Sequence, residues 1–134
     1  MNKYLMESRL DLHLGTDQEQ YDYISGENFI LWADPQDKFK TRTNFRQLVV
    51  RHSPTGLSWG YGGSGVSDCS LNILLNYFSN GTGYVSSDQE AFINSNYMSF
   101  KDEYLFNMPE LGGIITINGI KAFLNEKNMI DRNV

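Results

Sequence analysis

The sequence has few of the residues from which metal sites and disulfide bonds are built. It contains a single cysteine, Cys69, and two histidines, His13 and His52, that lie far apart. One cysteine excludes an internal disulfide and a cysteine-cluster zinc site, and the histidine spacing matches no metal motif. We therefore expect neither a metal nor a cofactor.

Long apolar runs are also absent. The first sixteen residues mix charges among their apolar side chains, so they match neither a signal peptide nor a membrane span. We therefore predict a cytoplasmic protein with no membrane association. The length of 134 residues and the apolar content of 40% suit one globular domain with a single core.

Acidic residues are missing from one stretch of an acidic protein. The net charge is -5, yet residues 38–67 contain five basic and no acidic residues, which leaves about -10 for the remainder. The overall charge argues against bulk attraction of nucleic acid. The basic stretch could attract an anion locally, although spaced, solvated side chains on a hairpin would give the same pattern. The basic residues are Lys38, Lys40, Arg42, Arg46 and Arg51.

The first half of the chain has aromatic and β-branched residues that favour strands. A hairpin is predicted from residues 21–23 and 29–33, and the turn residues 34–37 end its second strand. Residues 45–51 and 57–61 are a third and a shorter fourth strand candidate. These elements predict a small antiparallel sheet.

The second half changes to a helical period. Leu71, Leu74, Leu75 and Phe78 share one face, with Asn72, Asn76 and Ser79 on others, as in an amphipathic helix on a core. Its predicted N-cap is Ser67 or Asp68, and Asn80-Gly81 ends it. Further helices are predicted from the capping-box spacing of Ser87 and Glu90, from Phe100, Tyr104 and Met108 before Pro109, and from Thr116 with Ile120, Phe123 and Leu124.

The order of these elements predicts the fold class. Strands precede helices, which is typical of an α+β fold in which a small antiparallel sheet packs against three or four helices. Residues 1–19 are expected to be an N-terminal extension, and residues 20–134 a single α+β domain.

A glycine-rich loop is predicted between the last strand and the first helix. Four of the six residues 60–65 are glycine, and free amides leading into a helix N-terminus can hold an anion. No lysine follows, the spacing departs from G-x-G-x-x-G, and Val66 replaces the last glycine of a nucleophile elbow. A tight turn that packs sheet against helix explains the glycines equally well. The predicted ligand-binding residues are Arg51, His52, Ser53, Thr55, Trp59, Tyr61, Gly62, Gly63, Ser64 and Gly65.

Other reactive side chains near the loop have simpler explanations. His52 and Ser53 are adjacent, so their side chains point to opposite faces of a strand and are a poor catalytic couple. Cys69 is expected to be a buried, inert thiol, and Asp68 a helix cap. Trp59 and Tyr61 could stack on a base, although aromatic residues there are more often part of the core. We assign no catalytic residue.

The stretch RHSPTGLSWGYGGSGVSD, residues 51–68, resembles the signature of an uncharacterised family, domain of unknown function 6166. HSPTG and WGYGGSG recur with the family's separation, and the resemblance extends over residues 20–125. Val66 replaces a usual proline, and Gly119 replaces the acidic residue of the last helix's capping box. Members of this family occur in bacteria, archaea, phages and plasmids, so the resemblance implies such an origin. It implies no known activity.

Three functions are consistent with these features. The first is non-enzymatic binding of a phosphate-bearing ligand, a nucleotide or nucleic acid, at the glycine-rich loop. The family's distribution would suit a phage or mobile-element accessory protein in the host cytoplasm, for example in counter-defence. The second is an acidic inhibitor that binds a host nucleic-acid-binding or defence protein. The third is a small hydrolase that uses His52 and a loop hydroxyl.

Overall fold

A computed structural model describes residues 2–3, 18–53 and 55–129 of the chain. Its strands are β1 (Asn2–Lys3), β2 (Gln18–Gln20), β3 (Phe29–Asp34), β4 (Asp37–Thr43), β5 (Tyr84–Val85) and β6 (Gly112–Ile115). Its helices are α1 (Ser64–Ser79), α2 (Ser87–Phe100) and α3 (Ile117–Glu126), and a π-helical turn, Lys101–Leu105, continues α2. The α+β class is confirmed, with strands mostly in the first half and helices in the second.

The larger sheet has four strands in the order β2-β4-β3-β6. Strand β3 is antiparallel to both of its neighbours, whereas β2 is parallel to β4. The sheet is therefore mixed, and the prediction of an antiparallel sheet was correct only for its three longer strands. Alternate residues of β3 point into the core, namely Phe29, Leu31 and Ala33.

The central hairpin differs from the predicted one. Residues 34–37 do end β3, but its partner is the following strand, β4, and not residues 21–23. Those residues form no strand: the Tyr23 ring stacks on Phe29 at a centroid distance of 4.3 Å. Strand β4, DKFKTRT, was missed because it is exposed over most of its length and has no apolar alternation.

Helix α1 is the central element of the fold. It begins at Ser64 with Gly63 as N-cap, so the predicted cap at Ser67 or Asp68 was wrong. It ends at the predicted place, where Asn80 adopts a left-handed conformation with φ 53°. Every residue from Gly65 to Ser79 is buried. The predicted apolar face is confirmed, but the polar residues do not face solvent.

Residues 45–51 form no strand because side chains of α1 take over their backbone hydrogen bonds. Asn72 Oδ1 accepts from Leu48 N at 2.7 Å and Val49 N at 2.9 Å, and Asn72 Nδ2 donates to Val49 O at 2.8 Å. One turn later, Asn76 Nδ2 donates to Arg46 O at 2.9 Å. A chain whose amides are satisfied in this way needs no partner strand. Residues 57–61, the other strand candidate, also lie outside the sheet.

The remaining helices begin close to the predicted sites. The capping box at the start of α2 is formed by Ser86 and Gln89, one residue earlier than predicted. Thr116 caps α3 as predicted, accepting a hydrogen bond from Gly119 N at 3.0 Å. The two helices expected over residues 87–108 are one continuous element, α2 with its π-helical turn. Strand β6 was missed.

Aromatic rings connect the helices to one another. Phe78 of α1 contacts Phe92 of α2 edge-on at 5.8 Å, and Phe123 of α3 contacts Phe92 at 6.3 Å and Phe100 at 5.1 Å. Edge-to-face pairs at these distances add to the stability gained from burial. The helices thus provide a rigid support for the segments that precede α1.

Most of the predicted N-terminal extension, residues 1–19, falls outside the described residues. Two described parts of it pair with the rest of the chain: β1 is antiparallel to β5, and β2 begins at Gln18 on the edge of the larger sheet.

Candidate functional site

The carboxylate of Asp68 fixes the start of the signature segment, residues 51–68. Asp68 is fully buried, and it accepts hydrogen bonds from the backbone N–H groups of Arg51, His52 and Ser53. The shortest of these bonds, from Ser53 N to Oδ2, is 2.8 Å, and Gln47 Nε2 donates to the same oxygen at 3.3 Å. Asp68 thus holds a loop in place, and its predicted role as a helix cap was wrong.

Arg51 and His52 lie against helix α2. Arg51 Nη1 donates to Asn94 Oδ1 at 2.8 Å, and its guanidinium carbon lies 5.6 Å from the centre of the Tyr97 ring. His52 Nε2 is 2.8 Å from the Tyr97 hydroxyl. Ser53, which is buried, lies with its hydroxyl 3.2 Å from that of Thr55. These polar groups are engaged with one another and with α2.

The glycine-rich loop leads directly into the N-terminus of α1. Its N-cap residue, Gly63, has no side chain, no side-chain cap is formed among the described residues, and the first turn contains no acidic residue. The first amides of an α-helix have no acceptor within the helix. Ser64, the first residue of α1, is exposed, whereas the next two residues, Gly65 and Val66, are buried. An anion would be attracted to this helix terminus at Ser64.

Close packing explains why glycine is needed in the loop. A Cβ atom on Gly63 would lie 2.4 Å from the Tyr61 ring, and one on Gly65 would lie 2.3 Å from Ser58 Oγ. A Cβ atom on Gly62 would lie 2.9 Å from the Phe106 ring. The glycines therefore allow close packing in the loop, and Ser58 and Tyr61 lie against the start of α1.

A cleft of about 490 Å³ opens between strand β4 and residues 57–61. Its walls combine two exposed rings, Phe39 and Tyr61, with hydroxyl, amide and charged groups. Trp59, whose indole is largely buried, donates from Nε1 to Glu110 O at 3.1 Å and so connects residues 57–61 to the turn that precedes β6. The lining residues are Gln18, Lys38, Phe39, Thr41, Leu57, Ser58, Trp59, Gly60, Tyr61 and Glu110.

Acidic residues from elsewhere in the chain neutralise much of the basic stretch. Lys38 pairs with Glu110 at 3.1 Å, Arg42 with Glu19 at 3.4 Å, and Arg46 with Asp22. Within the described part of the chain, the side chain of Lys40 in β4 forms no ion pair or hydrogen bond. The charge of about +5 expected from residues 38–67 therefore does not act as one anion-attracting surface.

The structure divides the predicted ligand-binding residues into two groups. Trp59 and Tyr61 line the cleft, and Gly63 and Gly65 lie against its lining residues Tyr61 and Ser58. Gly62 lies against Phe106, and neither it nor Ser64 is a lining residue. Arg51, His52, Ser53 and Thr55 are not among the cleft-lining residues. The sequence interpretation did not single out Gln18, Phe39, Thr41 or Glu110. In the sequence, the one indication of this wall is an aromatic residue between two lysines at positions 38–40.

The thiol of Cys69 is fully buried in α1, as predicted. Burial raises the pKa of this thiol, and the neighbouring Asp68 carboxylate raises it further. We expect iodoacetamide at pH 8 to alkylate the folded protein orders of magnitude more slowly than the protein in denaturant, because the thiolate is the reactive form. Mass spectrometry over time measures both rates. Rapid alkylation of the folded chain would contradict the buried position.

The described residues contain neither a metal-binding cluster nor a membrane helix. Among them, no three His, Cys, Asp or Glu side chains are grouped so that they could hold a metal ion. None of the helices described here has the length and apolar character needed to cross a bilayer.

Comparison with known proteins places the chain in a family. Neither a curated protein nor a solved structure matches it. The model of one family of unknown function matches residues 23–126, a span that includes strands β3, β4 and β6 and all three helices. This match covers most of the chain and agrees with the resemblance seen in residues 51–68. The chain belongs to the family of unknown function DUF6166.

Proposed function

We propose that the protein is a non-enzymatic binder of a phosphate-bearing ligand, with the phosphate at the N-terminus of α1 and the rest of the ligand in the adjoining cleft. One observation supports this most strongly: the cleft residues Ser58 and Tyr61 pack directly against Gly65 and Gly63 at the start of α1. A ligand in the cleft would therefore have an uncapped helix terminus next to it.

The charges near the cleft are compatible with this proposal. The first turn of α1 contains no carboxylate that would repel a phosphate. Lys40 lies on β4 between the cleft-lining residues Phe39 and Thr41 but is not itself one of the lining residues, as the alternation of side chains along a strand predicts.

Binding is better supported than hydrolysis. The Nε2 atom of His52 is hydrogen-bonded to the Tyr97 hydroxyl, on the side of α2. The Asp68 carboxylate is occupied by backbone amides, and Cys69 is buried. A general base must reach the proton that it removes, and the groups with suitable chemistry here serve to fix the chain. We further propose that the protein is a phage or mobile-element accessory protein that acts in counter-defence. This part of the proposal depends on the family's distribution alone.

Ser64→Asp is expected to abolish phosphate binding while leaving the protein folded. The substitution places a carboxylate in the first turn of α1, where it competes with a phosphate but interacts favourably with the helix dipole, by about 0.3–1 kcal/mol. Binding of ribose 5-phosphate, nucleotides and short oligonucleotides would be measured by thermal shift and calorimetry. Ser64→Asn, which introduces a side chain of the same size without the charge, is the matched control.

The outcomes of this test are distinct. Stabilisation by at least one phosphate ligand, retained by the Ser64→Asn variant and lost by the Ser64→Asp variant, supports the proposal. Lys121→Ala, on the exposed side of α3, should have no effect on binding of the same ligand. If no phosphate ligand stabilises the wild-type protein, the proposal is wrong, and binding of a host protein by the acidic surface becomes the alternative to test by pull-down.

A further inference from the structure

We infer that the cleft binds the base of a nucleotide, with the ring on Phe39 and Tyr61 and its hydrogen-bonding edge at Glu110. This inference rests on the proposed function, because the base in the cleft would belong to the same ligand whose phosphate lies at the N-terminus of α1. It is supported by three features of the cleft walls: an exposed ring, a second ring held in place, and a carboxylate next to an ammonium group.

Phe39 is the first of these features. It is 73% exposed on strand β4, although it lines a cleft rather than projecting from a flat surface. The Lys38 ammonium group lies 5.9 Å from its ring centre. An aromatic ring in such a place offers a face on which a planar heterocycle can stack, and a base gains about 1–3 kcal/mol from this kind of contact.

Tyr61 is exposed, and two contacts favour one orientation of its ring. Its ring lies close against Gly63, and its hydroxyl is 2.9 Å from Ser58 Oγ, yet 53% of the residue remains accessible. A ring that is fixed before the ligand arrives loses little side-chain entropy on binding. The same ring adjoins the α1 terminus, so a base stacked on it would have its sugar and phosphate within reach of the helix amides.

Glu110 and Lys38 give the cleft an edge that can distinguish bases. The Glu110 carboxylate accepts from Lys38 Nζ at 3.1 Å through one oxygen, Oε1. The position of Glu110 is fixed through its backbone oxygen by the Trp59 indole. A carboxylate only accepts hydrogen bonds, whereas an ammonium group only donates them.

This pairing favours guanine over uracil. The Watson–Crick edge of guanine presents two neighbouring donors, N1–H and the exocyclic amine, beside the acceptor O6. The donors suit Glu110 and the acceptor suits Lys38. Uracil has one donor between two carbonyl oxygens, which a carboxylate repels. The cleft volume of about 490 Å³ falls in the usual range for small-molecule sites, about 300–1,000 Å³.

Calorimetric titration with guanosine 5′-monophosphate, uridine 5′-monophosphate and ribose 5-phosphate tests the inference. The wild-type protein should bind the guanosine nucleotide at least about tenfold more tightly than either of the others, an amount typical of one good stacking or edge contact. Phe39→Leu, which keeps an apolar side chain but removes the ring, should abolish most of this advantage. Glu110→Gln should reduce the preference over uridine to about twofold or less.

The result separates this inference from the proposed function. Equal binding of all three ligands, or guanosine binding unaffected by both Phe39→Leu and Glu110→Gln, would overturn the base site while leaving phosphate binding at α1 intact. In that case Ser64→Asp would still abolish binding. Failure of all three ligands to bind would overturn the base site, whereas the proposed function is overturned only if the wider panel of nucleotides and oligonucleotides also fails to bind. Because Phe39 and Glu110 are exposed, unchanged melting temperatures of the variants verify that the fold is preserved.

Discussion

Asp68→Ala is expected to lower the free energy of unfolding by about 2–4 kcal/mol, because it leaves several backbone donors without their acceptor. The carboxylate is fully buried and accepts from three consecutive backbone amides, those of Arg51, His52 and Ser53. The Ser53 donor is buried and the other two are partly buried. A buried donor left without an acceptor costs about 1–3 kcal/mol, a donor that water can reach costs less, and the effects of neighbours are not additive. Because the three amides share one acceptor group, a single substitution affects all of them.

Such a loss is a large part of a domain's stability, which is typically about 5–15 kcal/mol. Urea unfolding followed by tryptophan fluorescence measures it. Asp102→Ala is the matched control, because Asp102 is 73% exposed and its nearest cation, Lys101 Nζ, is 4.0 Å away. An exposed change of this kind should remain within about 0.5 kcal/mol. A difference below about 1 kcal/mol between the two variants would show that water or other groups replace the carboxylate.

Helix α1 shows how much of the fold could be predicted from the sequence. The period of Leu71, Leu74, Leu75 and Phe78 correctly indicated a helix, because a buried face recurs every three to four residues whatever lies on the other side. The same pattern suggested that Asn72 and Asn76 face solvent. They are buried, because the segment that precedes α1 folds back over them and uses their amides.

The strand errors have two physical causes. Residues 45–51 have strand-forming composition, but backbone pairing with a strand was replaced by pairing with the side chains of Asp68 and Asn72. These hydrogen bonds join residues far apart in the sequence, so local strand propensity does not predict them. Strand β4 was missed for the opposite reason: it is polar and exposed, and its pairing with β3 depends on the turn between them.

The site was predicted in part. The glycine-rich loop was placed correctly before a helix, since the change from glycine-rich to apolar-periodic sequence is local. The opposite wall of the cleft could not be found, because Phe39 and Glu110 are separated by 71 positions in the sequence and meet only through the order of strands β4, β3 and β6 with the loop before β6. Charge pairing across the same distance, as in Lys38 with Glu110, was equally invisible.

Two neighbouring glycines, Gly112 and Gly113, should respond in opposite ways to alanine. Gly112 begins strand β6 with φ +100°, and a Cβ atom there would lie 2.0 Å from Leu31 O and 2.6 Å from Leu31 C. These are backbone atoms of the paired strand β3, which cannot move without breaking the sheet. We expect Gly112→Ala to destabilise the fold by about 3 kcal/mol or more, since both backbone strain and a steric clash oppose it.

Gly113→Ala is the control from the same dipeptide. Its Cβ atom would lie 3.5 Å from Met108 Cε, an ordinary contact, and its φ is not positive. Replacing glycine in a strand interior then gains about 0.5–1 kcal/mol from the lower entropy of the unfolded chain. Urea unfolding of the two variants should therefore move in opposite directions from wild type. Similar changes in both would contradict the close approach of Gly112 to Leu31.

The same pair of variants links the sheet to the cleft. Gly112 N donates to Pro109 O at 2.8 Å, closing the turn that contains Glu110. Displacement of Gly112 from β3 would move this turn and with it the carboxylate that lines the cleft. If Gly112→Ala remains folded at low temperature, we expect it to lose the guanosine preference that Gly113→Ala retains, because the turn, and not the strand itself, positions Glu110.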